Sequence, residues 1–109
     1  MKFMDNLYVG ELIEDPAGVF EKLKKRIPVL GIYCVCISEN SKFKAEILSS
    51  RELFSPKNKD KNYKIIGISQ GKPEAKELFS VIVEDYISSG DFSLSDFKKA
   101  FDSEDFISV

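Results

Sequence analysis

The stretch "VLGIYCVCIS", Val29–Ser38, constrains the fold more than any other part of the chain. Side chains of a strand alternate between two faces, and here both faces are apolar and rich in β-branched or aromatic residues, which places the strand centrally in a sheet. "YKIIGIS", Tyr63–Ser69, reads as a second buried strand. "FKAEIL" alternates instead, with Phe43, Ala45 and Ile47 on one face and Lys44 and Glu46 on the other. That pattern predicts a half-exposed antiparallel neighbour. "LYVG", Leu7–Gly10, is a short first strand.

The helices announce themselves by their ends. Asp15 is placed to cap a helix that Pro16 opens, with Val19, Phe20, Leu23 and Ile27 as its apolar stripe and Pro28 as its stop. Ser49 followed by Glu52 has the spacing of a capping box and predicts one helical turn at "SRELF". A long helix is expected from Pro73 to Ser89, its broad apolar face including Ala75, Leu78, Phe79, Ile82 and Val83, with Gly90 as the stop. "SLSDFKKAF" predicts a last short helix. The reading is a single α+β domain over residues 1–109, in the order β-α-β-β-(α)-β-α-α. It has a mixed sheet of three to four strands with helices on one face, and residues 103–109 form a flexible tail.

Composition narrows the function classes. With 109 residues, 43% hydrophobic and 31% charged, the chain has enough apolar material for one core without staples. A net charge of −2 gives no general attraction to nucleic acid or anionic membranes. No apolar run approaches the roughly 20 residues of a membrane span, and the N-terminus lacks the form of a signal peptide, so a cytoplasmic location is expected. The two cysteines, Cys34 and Cys36, share one strand face. Without histidine or further cysteine they complete no zinc site, so they read as buried small hydrophobes and no metal or cofactor is expected. The same lack of histidine, and the lack of any nucleophile motif, leaves no catalytic residue to name.

Three features remain as candidate sites. "IIGISQGKPEAKELF", Ile65–Phe79, has the strand, glycine turn and helix of a phosphate-cradling loop, with Ser69, Gly71 and Lys72 as its ligand-binding residues. Its glycine spacing is one residue short of a Walker A loop and Pro73 stands where the magnesium-binding hydroxyl belongs. Glu74 and Glu77 already bring negative charge to the helix start. The simpler reading is a structural corner, Gly71 supplying a positive φ and Gly67 a close strand–helix approach. Lys57–Lys64, "KNKDKNYK", combines lysines with Tyr63 and offers a weak single-stranded nucleic-acid surface. The C-terminal phenylalanines Phe97, Phe101 and Phe106 either cap the domain's own core, the simpler reading, or form a patch for a protein partner or a second copy.

There is also an internal echo. "VGELIEDPAG" and "IGISQGKPEA" each place a Gly at the end of a strand and a Pro six residues later. Shared punctuation accounts for this more simply than shared construction.

"DNLYVG" followed by "KLK", and later "IIGISQGKPEAKELFSVIVEDY", resemble a group of short bacterial proteins of unassigned function, which carry an NLYVG-like first strand and a VGIAKG-like strand–helix unit. The likeness spans most of residues 5–90 and includes Gly67, Gly71, Glu74 and Ala75, while Lys72 and Pro73 depart from the pattern. It implies a shared compact fold and gives no residue a role. The functional expectation is therefore a small, non-catalytic cytoplasmic interaction or accessory protein, self-association included. A phosphate-bearing ligand at Ser69–Lys72 and nucleic acid at Lys57–Lys64 stand as the alternatives.

Overall fold

In the computed structural model, residues 1–38, 45–58, 61–87 and 106–108 are described. They carry strands β1 (Lys2–Val9), β2 (Ile32–Ser38), β3 (Ala45–Ser49), β4 (Tyr63–Gln70) and β5 (Phe106–Ser108), and helices α1 (Pro16–Lys24), α2 (Ser50–Leu53) and α3 (Lys72–Ile87). A short 3-10 turn covers Pro56–Asn58. The five strands make one mixed sheet in the order β3-β2-β4-β1-β5. β1 and β4 run parallel at its centre, β2 and β3 continue antiparallel on one side, and β5 lies antiparallel to Lys2–Met4 on the other.

A bulge decides which residues face which helix. Val35 pairs with Gly67 but Cys36 pairs with Ile65, so Ile66 is the extra residue on β4. Beyond it, Gly67 and its partner Tyr8 face α3: a Cβ at Gly67 would sit 3.0 Å from Leu78 and 3.4 Å from Ile82. Tyr8 donates its phenol proton to Asp85 of α3 over 2.8 Å. Phe3, the partner of Ile65, faces the other way and meets Phe20 of α1 with ring centroids 6.0 Å apart. The two long helices therefore cover opposite faces of the sheet.

This corrects the expectation of helices on one face, and the reason lies in the central strands. Val35, Cys36, Ile37, Ile65, Ile66 and Ile68 are all buried, on both sides of β2 and β4, and each side needs its own cover. The sheet has five strands rather than three to four, because Phe106–Ser108, expected in a tail, form an edge strand. The first strand runs from Lys2 to Val9, starting five residues before the expected Leu7. α1 stops at Lys24, ahead of Pro28; Arg26 takes a φ of 61° and Ile27 lies outside the helix, 46% exposed. The helix expected at "SLSDFKKAF", Gly90, and Phe43 and Lys44 at the expected start of the third strand lie outside the described residues.

Several local expectations hold. Asp15 accepts the Gly18 N–H and caps α1. Ser49 and Glu52 form the reciprocal capping box at α2. No described helix is long and apolar enough to cross a membrane.

Candidate functional site

The carboxyl ends of the parallel strands β1 and β4 meet at one end of the sheet. Because α1 and α3 leave them toward opposite faces, this is a topological switch point, the place where open α/β sheets form a crevice. In this chain a carboxylate of the protein itself takes the backbone N–H groups at that point. Glu74, in the first turn of α3, accepts the Gln70 N–H at 2.8 Å with one carboxylate oxygen and the Leu12 N–H at 2.9 Å with the other. A Cβ at Gly10 would run into that carboxylate, so the glycine makes room for it. An anion at a helix start that collects backbone N–H groups is what a bound phosphate would be, and here the anion is a side chain.

The residues singled out from sequence sit around this point. Gly71 holds a φ of 85°, and its N–H bonds the Gly31 carbonyl at 2.8 Å, which joins the β4–α3 corner to the loop entering β2. Ser69 is fully buried; its hydroxyl lies 3.3 Å from the Gly71 carbonyl and 3.5 Å from that of Tyr33. Lys72 is exposed at the first position of α3. The three expected ligand residues thus form one corner, two of them engaged in its construction. Glu74 and Leu12 were not singled out as a pair. The short glycine spacing and Glu74 are visible in the sequence, but no sequence pattern announces the contact to a loop 62 residues away.

The other candidates separate. Of the phenylalanine patch, Phe106 lies on β5, half-buried, with the Lys64 ammonium 5.1 Å over its ring, while Phe97 and Phe101 lie outside the described residues. Along Lys57–Lys64, Lys59 and Asp60 are outside the described residues. Tyr63 is 4% exposed and donates its hydroxyl to Glu46 at 2.5 Å, so its ring is core and not a platform for a base. Glu46, expected on the outward face of β3, instead shares a face with Cys36, its cross-strand partner.

Cys34 and Cys36 are fully buried free thiols, as expected. Burial pushes Cys34 up to about 12 and Cys36 well above the ordinary thiol range, with Cys34 and Glu46 adding to the latter. Burial and the hydrogen bond to Glu46 also raise Tyr63. These groups stay protonated, and thiols need the thiolate to react. Among the described residues no cluster of three metal-ligating side chains occurs.

Around the crevice the end of the sheet is apolar and charged in an ordered way. Leu12 is 64% exposed and Leu30 98% exposed, one on each side of the β4 end. Leu30 is held out by a fixed loop: the Ser50 hydroxyl accepts the Val29 N–H at 2.9 Å and donates to the Val29 carbonyl at 2.8 Å. No family model, curated protein or solved structure matches this chain.

Proposed function

We propose that this chain is a small, non-catalytic interaction or accessory domain that presents the carboxyl end of its central parallel strands to another protein surface. The observation that carries this reading is Leu30. A single exposed leucine is ordinary on a protein surface. This one is 98% exposed on a loop tied down from both sides, by Ser50 to Val29 and by Gly71 to Gly31. A loop ordered to hold an apolar side chain in water suits association, because little entropy is left to lose on contact. The phosphate reading at Ser69–Lys72 requires Glu74 to leave the Gln70 and Leu12 amides, and that favours the interaction reading over it.

Native mass spectrometry of the protein isolated gently from the cells that make it tests the proposal. The expected result is a polypeptide complex for the wild type that is lost in Leu30→Asp. Bare monomer masses for both proteins would reject it.

A further inference from the structure

The same end of the sheet is polarised, and its pattern is complementary to itself. Along the strand order it reads as follows. Arg51 and Leu30 share an open groove on the β2 side with Tyr33 and Ser49. The β4 end, with Gly71 and Lys72, follows, tied to Gly31 by the Gly71 N–H. On the β1 side, Leu12 is tied to Glu74, and Glu11, Glu74, Glu77 and Val81 line a second groove between β1 and α3. Successive helix residues turn by 100°, so Lys72 and Lys76 emerge on the flank of α3 opposite Glu74 and Glu77, toward β2. Each half therefore carries one exposed leucine, with Arg51, Lys72 and Lys76 on the β2 half, where the Glu52 carboxylate turns back to accept the Ser49 N–H, and carboxylates on the β1 half.

We propose that this end is the contact surface of a symmetric pair and that its occupant is a second copy of this chain. A two-fold axis perpendicular to the sheet at the β4 end turns one copy end to end with the other. That operation sets Leu30 over the partner's Leu12, and sets Arg51 and Lys72 over the carboxylates of the partner's β1 half, twice per pair. A surface that is positive on one half and negative on the other is repelled when like halves meet, as they would about a two-fold axis lying in the sheet plane across the strands, and is matched by this rotation. The inference rests on the interaction reading above and names its partner.

Sedimentation equilibrium at low and high salt tests it with the full chain. The wild type is expected to dimerise at low micromolar concentration, more weakly in high salt. Leu30→Asp and Leu12→Asp are each expected to weaken the dimer by at least about tenfold. Both side chains point into water, so folding is checked simply by far-UV circular dichroism. Lys72→Glu is expected to weaken it as well, and Lys72→Glu combined with Glu11→Lys to restore it, which a role in folding alone would not produce.

A wild type that stays monomeric overturns the proposal, as does a dimer indifferent to both leucine changes. A monomer that holds a foreign chain through Leu30 also overturns it, while leaving the interaction reading in place.

Discussion

The two corners that follow the parallel strands share punctuation and differ in construction. After β1 the chain wanders through residues 10–15, exposing Leu12, before Pro16 opens α1 under the Asp15 cap. After β4 the single residue Gly71 separates strand from helix, and the turn is made by its φ of 85°. One corner is loose and locally capped; the other is tight and conformationally set. What unites them is Glu74, which belongs to the tight corner and reaches across to hold the loose one. Paired Gly and Pro in sequence thus mark where strands end and helices start without implying that the connections are built alike.

The largest effect is expected from removing that link. Hydrogen bonds to a charged acceptor contribute about 1.5–3 kcal/mol each, less where water reaches them, so Glu74→Ala should lose about 2–3 kcal/mol in urea unfolding. Glu74→Gln, with one carboxamide oxygen, should recover about half. Gly10→Ala should destabilise the wild type by displacing the carboxylate and have little effect in the Glu74→Ala background. Additive losses would mean that Gly10 matters for its backbone alone. The buried thiols provide an independent readout, since Cys34 and Cys36 react only when the sheet opens. A loss of about 2 kcal/mol should speed their labelling about thirtyfold.

The thiols also give a pH control that should not distinguish the corners. In the unfolded chain a thiol loses its proton near ~8.5, whereas burial holds Cys34 up to about 12 in the folded state. Above pH ~9 the folded state therefore binds more protons than the unfolded one, and stability falls as pH rises, by about 1.4 kcal/mol per pH unit for each such thiol. The protection is complete below the unfolded pKa and disappears as pH passes the folded one. Wild type and Glu74→Ala should show the same alkaline slope in chemical denaturation. Different slopes would place a titrating group at the crevice.

Next in size is the tight corner's own residue. Gly71→Ala forces a Cβ into the left-handed region and should destabilise by about 1–2 kcal/mol, although the surrounding space is open, the nearest atom being Pro73 Cδ at 3.8 Å. On the loose corner, Asp15→Ala removes the cap of α1 and should destabilise by about 1 kcal/mol. If thermal unfolding ranked the two the other way, the corner after β1 would be the more constrained one.

These contrasts explain what the sequence made legible. Caps and glycines act on neighbours within a few residues, so Asp15, the Ser49–Glu52 box, Gly67 and Gly71 could be read directly. Burial on both faces was written into Val29–Ser38 and holds for Ile32–Ser38, which form β2, while the three residues before it enter as a loop with Leu30 exposed; the consequence, a helix layer on each side, follows once the sheet is known. Contacts between distant segments were not legible. Glu74 looks like any acid in a first helical turn, and Glu46 looks like the polar half of an alternating strand, until the fold brings Leu12 to one and Tyr63 to the other. The bulge at Ile66 has no residue signature, yet across it Gly67 faces α3 while Ile65 faces α1, and β1 is irregular over the same stretch, between Phe3 and Tyr8. Phe106–Ser108 pair with β1 by register across nearly the whole chain, which three residues cannot advertise.

The smallest effect should separate the corners most clearly. Two residues inserted between Glu14 and Asp15 lengthen a surface loop whose backbone has few partners there, and the added closure entropy is only about 0.3 kcal/mol. Asp15 still caps α1, and Leu12 stays on Glu74, so melting should barely move and the leucine end of the sheet should keep its shape. The same two residues inserted between Gln70 and Gly71 act on a different kind of connection. They separate the Gln70 N–H from the carboxylate that accepts it and pull the Gly71 N–H away from Gly31, and with it the loop that holds Leu30 out. That insertion should lower the melting temperature sharply. Near-equal melting of the two insertion variants would show that Gly71 connects β4 to α3 without setting the geometry of the end.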